Sequence, residues 1–233
     1  MPSTLATTDT ELPRTMASAL ANSLREDIIK GVHAPGTKLA IKELCLRYDA
    51  GPIPMREALS RLATSGLVVA QDQRGFRVAE VSRAELQDIT DARIHIECEA
   101  LRRSIARGSL DWEERLAGAQ HRLLRLPMLA QDGSIEDAWE SAHDAFHIAL
   151  INDCGSHWLV DLAEMLRDQT ARYRHLSIVR GSEPLEGTRE IASEHRAIAE
   201  AALARDGARA SALLAEHLQA TTRIVLGSAL RTS

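Results

Sequence analysis

Apolar and polar residues follow a helical period in the segment that begins at Pro54 and ends at Gly66. Its apolar positions repeat at intervals of three and four, and they are Met55, Ala58, Leu59, Leu62 and Ala63. This spacing predicts a short helix with one buried face. Pro54 suits the first turn, where a missing N–H costs nothing, and Gly66 is typical of a C-terminal stop. The other face is polar and carries Arg56, Glu57, Ser60, Arg61 and Thr64.

Two further helices are predicted before this one, over about residues 15–30 and 41–48. The first has apolar residues on one side, at Leu20, Leu24, Ile28 and Ile29. A turn signal at 34–37 separates these two helices, and residues 49–53 break the chain again before Pro54. A helix, a tight turn and a second helix form the helix-turn-helix arrangement.

A β-hairpin is predicted directly after Gly66, because the apolar runs 67–70 and 76–79 flank a polar, glycine-bearing loop. A hairpin behind a helix-turn-helix is a wing. Its Arg74 and Arg77 would place positive charge near phosphates or the minor groove of DNA.

Arginines on the free side of a short helix can read guanine or hold phosphate in the major groove. Arg56 and Arg61 are the candidates for this role. The same pattern is also typical of an ordinary surface helix. The neighbouring turn and hairpin favour the DNA-binding interpretation.

After the hairpin, the pattern of apolar residues predicts only helices. Ser82 begins a capping-box sequence that opens a long helix to about Arg107, which places a domain boundary at Val81. Further helices are predicted over about residues 112–129, 134–152, 155–178, 184–205 and 207–230. Together they predict a helical bundle.

The predicted fold class is therefore mainly α. Residues 1–14, rich in Thr, Ser and Pro, are expected to be a disordered tail. Residues 15–80 are expected to form an N-terminal winged helix-turn-helix with a small β-hairpin wing. Residues 81–233 are expected to form a C-terminal all-α helical bundle.

Charge differs between these two parts of the chain. Residues 15–80 hold nine Lys and Arg against seven Asp and Glu, whereas residues 81–233 hold 18 against 24. A mildly basic head on an acidic body is typical of a DNA-binding domain joined to a separate regulatory domain. The net charge of −5 argues against a protein coated in nucleic acid.

Composition limits the core and the expected location. Hydrophobic residues make up 45% of the chain but aromatic residues only 3%, so Leu, Ile, Val and Ala must form the core. No run of 18 apolar residues predicts a membrane span, and the N-terminus lacks the pattern of a signal peptide. The three cysteines, Cys45, Cys98 and Cys154, are odd in number and far apart, which predicts reduced thiols in a cytoplasmic protein.

Four histidines lie on predicted apolar or shared helix faces. His143 and His147 are four residues apart and project from one face, and His195 and His217 each have apolar neighbours on their helices. Imidazole is a favoured ligand of zinc and also suits nickel and other first-row metals. A histidine on an apolar face is more often a core residue, and spacing alone leaves both interpretations open.

Arg93 also lies on an apolar helix face, with Glu97 one turn further on. It can form an ion pair with Glu97 or act as a buried guanidinium that clamps a carboxylate bidentately. Both interpretations stay open at this point.

Four signatures in the N-terminal part resemble the DNA-binding domain of GntR-family transcriptional regulators. They are Gly31-x-x-x-Pro35-Gly36-x-x-Leu39, Pro54-Met55-Arg56-Glu57-Ala58-Leu59-x-x-Leu62, Gly66-Leu67-Val68 and Arg74-Gly75-Phe76-x-Val78. The resemblance implies a homodimer that binds a palindromic double-stranded operator. It also implies DNA contacts from Arg56, Arg61, Arg74, Gly75 and Arg77. Gly51-Pro52-Ile53 stands where many members carry Ser or Thr followed by Arg.

The second part resembles the FCD domain of the FadR subfamily, which implies a domain for effector binding and dimerisation. Many FCD domains bind a metal ion through an acidic residue and three histidines. His147, His195 and His217 match the histidine positions, whereas His143, with Asp144 beside it, occupies the acidic position. The metal set implied is His143, His147, His195 and His217, with Asp144 left open as the fourth ligand in place of His143. The metal implied is a divalent transition metal, zinc before nickel or manganese.

The same resemblance implies a small organic acid as effector, bound beside the metal. Arg93 occupies the typical position for a carboxylate-binding arginine. Arg172, Tyr173 and Arg174 are candidates for further pocket contacts, with at least one of these arginines expected on a solvated face.

These features predict a ligand-responsive transcriptional regulator, a repressor whose effector alters operator affinity, and not an enzyme. One alternative is a metal-dependent hydrolase, because His143-Asp144-Ala145-Phe146-His147 resembles both the HExxH motif of zincins and the His-Asp pair of HD phosphohydrolases. Neither enzyme class explains residues 31–80. An architectural DNA-binding protein without a ligand would not need inward-facing His and Arg.

Overall fold

The computed structural model describes residues 16–71, 74–179 and 190–228. The described residues form two compact units. One contains residues 16–28 and 36–79, and the other contains residues 29–35 and everything described from Glu80 onward. The predicted disordered tail, the first residues of the helix predicted over 184–205 and the last two of the helix predicted over 207–230 lie outside the described residues.

The first unit is a winged helix-turn-helix, which confirms the predicted fold class. Its elements are α1 (Met16–Ile29), β1 (Lys38–Leu39), α2 (Ile41–Arg47), α3 (Pro52–Thr64), β2 (Val68–Gln71) and β3 (Gly75–Val78). The strands pair antiparallel in the order β1-β3-β2, so the predicted hairpin is confirmed and a third strand joins it. β1 is only two residues long, too short for an alternating pattern to predict it.

Helix α3 follows the predicted pattern closely. Met55, Ala58 and Leu59 are fully buried, and they pack with residues of α1 and α2 such as Leu24 and Leu44. The helix begins at Pro52, two residues before the predicted start, because proline is tolerated anywhere in a first turn that needs no N–H. Its stop uses Gly66 at φ 78°, a left-handed conformation that favours glycine.

The second unit is all-helical in its regular elements, apart from an isolated β-bridge. Its helices are α4 (Arg83–Arg107), α5 (Leu110–Leu124), α6 (Asp137–Ile151), α7 (His157–Val179), α8 (Ile191–Leu203) and α9 (Gly207–Ser228). Ser82 caps α4 as predicted, since its hydroxyl accepts a hydrogen bond from the Glu85 N–H at 3.1 Å. Fully buried side chains such as Trp112 and Phe146 form the core between these helices.

The predicted boundaries around α5 and α6 were wrong. Helix α5 ends at Leu124 and not near 129, and α6 starts at Asp137 and not near 134. Between them, Leu129 and Ile135 form an antiparallel bridge. Pro127 lacks an N–H and disfavours helical geometry in the residue before it, so the helix cannot run through this segment. No helix in the described part of the chain has an apolar stretch long enough to span a bilayer.

Candidate functional site

Four histidines converge inside the helical unit. His143 and His147 come from α6, His195 from α8 and His217 from α9. One ligand nitrogen of each lies within 4.8 Å of those of the other three. The four side chains are between 1% and 6% exposed. The structure therefore brings together the whole predicted set, which we call the histidine cluster.

Helix geometry explains half of this convergence and helix packing explains the rest. His143 and His147 share a face of α6 because four residues make about one turn. Helices α8 and α9 pack through small side chains, with Ala199, Ala202 and Ala210 fully buried. Their close approach brings the rings of His195 and His217 to 4.7 Å between centroids.

Carboxylates flank two of these histidines. His217 Nδ1 lies 2.8 Å from Glu194 Oε2, and His147 Nδ1 lies 3.8 Å from Glu97 Oε2. A carboxylate that accepts the Nδ1–H of an imidazole leaves Nε2 with its lone pair, which is the form that binds metal. Glu194 thus orients His217, and Glu97 lies just beyond hydrogen-bond distance of His147.

The chemistry of the cluster fits a bound cation. Nδ1 of His143 and both ring nitrogens of His147 are buried without a hydrogen bond from any described residue. A buried nitrogen without a hydrogen-bond partner destabilises the fold unless it binds another group, such as a metal ion. Four imidazoles whose ligand nitrogens lie within 4.8 Å of one another match the donor set of zinc and similar metals.

Both histidines of α6 are expected to be neutral near pH 7. Burial holds the pKa of His143 and His147 well below the usual 6.5, and nearby positive charge, foremost that of Arg174 for His143, lowers it further. Neutral imidazole is the metal-binding form.

A small cavity of about 30 Å³ adjoins the cluster. Its walls include His143, His147 and His217 together with the guanidinium-bearing Arg93 and Arg174. A volume of this size holds about one water-sized group. A second cavity of about 390 Å³ is lined by His195 and by three residues that also line the small one, which are Met128, Trp139 and Ile191.

The two guanidinium groups of the small cavity are already paired with carboxylates. Arg93 Nε lies 2.6 Å from Glu97 Oε1, and both side chains are buried. Arg174 Nη2 lies 3.1 Å from Glu140 Oε1. Arg93 therefore makes the predicted ion pair and also lines the cavity.

Arg172 and Tyr173, predicted as effector contacts, line neither of these two cavities. Arg172 Nη2 donates to the Glu80 carbonyl at 3.4 Å, and the Tyr173 hydroxyl donates to Glu85 while accepting from the Ser82 N–H. These hydrogen bonds link α7 to the first turn of α4 and to the residues just before it. Arg172 and Arg174 are both buried, so the prediction that at least one of them lies on a solvated face was wrong. Sequence reasoning left Arg174 among the weaker candidates, because no apolar stripe marks which side of α7 faces the cavity.

The predicted DNA-contact residues differ in how freely they can reach DNA. Arg56 is exposed on α3, and its side chain has no polar partner among the described residues. Arg61 donates to Ser18 Oγ at 2.9 Å and to Glu57 Oε1 at 2.7 Å, so its guanidinium is engaged within the unit.

The wing residues show the same contrast. Arg74 is exposed, and it precedes Gly75, whose φ of 90° lies in the left-handed region. Arg77 donates to the carbonyl of Gly36 and fastens β3 to the turn before β1. Arg56 and Arg74 are thus the exposed cations of the predicted set that carry no such contact within the described residues.

Comparison with known proteins identifies the class of protein that this fold and these sites define. Residues 16–78 match the family described as "Bacterial regulatory proteins, gntR family", and residues 88–220 match the FCD domain. The chain therefore belongs to the gntR family of bacterial regulatory proteins, in its FCD-containing branch. It is a DNA-binding transcriptional regulator. Of the two classes considered from the sequence, this finding favours the regulator over the metal-dependent hydrolase.

Named relatives are regulators of the same kind. The chain is 40% identical over 195 residues to the HTH-type transcriptional repressor GlaR of Escherichia coli strain K12, covering 84% of this chain and 89% of that one. It is 37% identical over 214 residues to the uncharacterized HTH-type transcriptional regulator BphR of Paraburkholderia xenovorans strain LB400, covering 91% and 86%. The structure of E. coli McbR/YncC has the same fold, with a TM-score of 0.76 at 22% identity over 91% of this chain and 98% of that one.

Proposed function

We propose that this regulator is a homodimeric repressor whose helical unit binds a divalent transition metal and a small carboxylic acid, and that the acid weakens operator binding. The observation that carries the proposal is the histidine cluster, buried beside a cavity lined by two arginines. The relative GlaR, which is named a repressor, supports the direction of regulation.

The ligand set of this chain is all imidazole, with His143, His147, His195 and His217 as the residues that would hold the metal. Imidazole suits zinc, nickel and copper, whereas manganese and magnesium prefer oxygen ligands. Zinc or nickel is therefore the favoured occupant, and manganese is disfavoured. A bound divalent ion would add positive charge that attracts and polarises a carboxylate.

Arg93 and Arg174 supply the protein's own recognition of the acid. A guanidinium in a buried site binds a carboxylate strongly because the fork geometry matches and water is excluded. The 30 Å³ cavity holds about one water-sized group, enough for an oxygen of the carboxylate. The carbon chain of the acid would extend into the adjoining 390 Å³ cavity, whose size is typical of small-molecule pockets.

Glu97 links the acid to the metal. One of its oxygens holds Arg93 at 2.6 Å, and the other lies 3.8 Å from His147 Nδ1. An acid that takes hydrogen bonds from Arg93 releases part of Glu97's interaction, which then favours His147. Arg93 and Glu97 both lie on α4, which begins a few residues after β3. Ligand binding thus acts on the helix that continues from the DNA-binding unit, and in a dimer a shift of α4 changes the spacing of the two heads.

The test measures metal content, ligand-induced stabilisation and operator binding in the same untagged protein. About one zinc or nickel per chain is expected, together with at least one mono- or dicarboxylate that raises the melting temperature and weakens DNA binding. Protein that stays metal-free after reloading, with no acid giving a shift, would overturn the sensor proposal and leave DNA binding untouched.

Arg93→Lys tests the clamp. Lysine keeps the positive charge near Glu97 but loses the bidentate geometry, so the acid concentration for half-maximal stabilisation is expected to rise at least about tenfold. Arg102→Lys, at an exposed position on the same helix, serves as the control and should leave the response unchanged. An unaltered acid response in Arg93→Lys would show that Arg93 does not bind the acid.

Glu194→Gln tests the support of His217. The amide has no negative charge to stabilise the imidazole N–H, so metal affinity is expected to fall about 10- to 100-fold. Competition with a chromophoric chelator measures this loss. The matched control is Glu200→Gln, at an exposed position on the same helix. Equal affinity in both variants would show that Glu194 does not support the metal.

A further inference from the structure

Ile53 is an exposed apolar side chain at the start of α3, the second helix of the helix-turn-helix. It is the second residue of α3 and is 80% exposed, the highest value for a large apolar residue in the described part of the chain. Met55, two positions later, is fully buried in the core of the unit. Packing within the unit therefore does not account for an isoleucine at this position.

The side chains around Ile53 cannot form the hydrogen bonds that usually anchor a DNA-binding helix, and few backbone donors remain there. Pro52 and Pro54 have no N–H, so Ile53 itself holds the one backbone donor among the three. From Gly51 to Met55 no side chain carries a hydrogen-bonding group other than the weak thioether of methionine. The side chains of this turn can therefore contact a partner only by apolar packing.

The major groove offers one apolar group, the C5-methyl of thymine. The N-terminal residues of a recognition helix are the ones that reach base edges in the groove. Arg56 lies one turn after Ile53, on the same side of α3, and it is exposed. The helix thus presents an apolar group and a cation side by side.

We propose that Ile53 reads a thymine in each operator half-site by packing against its methyl group, next to the base or phosphate held by Arg56. The proposal rests on α3 being the element that enters the major groove, as the proposed operator binding requires. The flanking prolines fix the backbone of this turn, so little backbone conformational entropy is lost when it meets DNA.

The experiment first selects duplexes that bind the full-length protein from a random-sequence library. Each thymine of the selected site is then replaced by deoxyuridine, which removes the methyl group and nothing else. Wild-type protein is expected to bind about fourfold less tightly when one particular thymine per half-site is replaced, the loss expected for one buried methyl group. Ile53→Ala should bind the thymine and uracil duplexes alike within twofold.

Two further variants complete the design. Ile53→Val keeps most of the apolar contact and should keep the preference for thymine. Leu110→Ala removes another exposed aliphatic side chain, at 67% exposure in the helical unit, and should leave DNA binding unchanged. A thymine preference that persists in Ile53→Ala, or no sensitivity to any thymine in the wild type, would overturn the proposal.

Arg56→Ala, measured on the same duplexes, separates this inference from the function on which it rests. Loss of binding in Arg56→Ala without any thymine effect would refute the role of Ile53 and keep α3 as the DNA-binding helix. Full binding by Arg56→Ala would contradict the proposed interface itself.

Discussion

His147→Ala is expected to reduce the affinity for zinc or nickel on the order of a hundred- to a thousandfold, because it removes one of four ligands from a site whose total binding energy is about 10–16 kcal/mol in comparable zinc sites. Among the four histidines, His147 is the one whose two ring nitrogens are both buried and unsatisfied by any described residue. Its removal therefore costs the metal site a ligand and costs the fold no hydrogen bond seen among these residues. Titration against a competing chelator gives the affinity directly.

The stabilising effect of the metal should disappear in the same variant. A ligand present at a thousand times its dissociation constant stabilises the folded state by about 4 kcal/mol, and most of this would be lost when the affinity falls that far. His121→Ala, at an exposed position on α5, is the control and should keep the metal-dependent rise in melting temperature. Comparable melting of wild type and His147→Ala in excess chelator would establish that the fold survives. A variant that still binds the metal as tightly as wild type would exclude His147 as a ligand.

Arg56→Ala is expected to weaken operator binding by about 1–3 kcal/mol per half-site, on the order of a thousandfold for a dimer that uses two. The reason is that Arg56 is exposed on the outer face of α3 and its side chain forms no hydrogen bond with the described residues. Fluorescence anisotropy at fixed salt measures the loss. Repeating the titration at several salt concentrations shows whether Arg56 contacts a base or a phosphate, because loss of a phosphate contact reduces the salt slope by about one for each half-site.

Arg61→Ala provides the sharpest comparison, because Arg61 lies on the same helix but already binds Ser18 and Glu57. Its loss should weaken operator binding less than that of Arg56 and should lower the stability of the DNA-binding unit slightly, by no more than about 1 kcal/mol for exposed contacts. Arg122→Ala, at an exposed position in the helical unit, should change neither quantity. A larger operator defect in Arg61→Ala than in Arg56→Ala would reverse the assignment of the two arginines.

The amphipathic helices could be predicted because each hides an apolar stripe from water. Met55 and Leu59 mark such a stripe in α3, and the same regularity places His143 and His147 on one face of α6. Strand β1 has no comparable signal. Two residues, Lys38 and Leu39, become a strand only because β3 lies beside them to accept and donate hydrogen bonds.

The convergence of the histidine cluster could not be predicted from local pattern. His195 and His217 approach His147 through the packing of α8 and α9, which is a tertiary property. Helix α7 is harder still, since every residue from Ala171 to Ser177 is buried and no stripe separates one side from another. Arg172 and Arg174 are about 200° apart around the helix axis, so one holds the start of α4 and the other lines the cavity.

Trp139 stacks on His143, with the ring centroids 4.8 Å apart and the planes inclined by 20°. An indole this close to a proposed metal ligand is an optical probe that the protein already contains. Of the three tryptophans, Trp112 lies in the core and Trp158 is exposed, so replacing both by phenylalanine would leave a single emitter beside the cluster. Ions with a partly filled d shell quench indole emission at such distances, whereas zinc does not. The fluorescence of Trp139 would therefore distinguish nickel from zinc without any added dye.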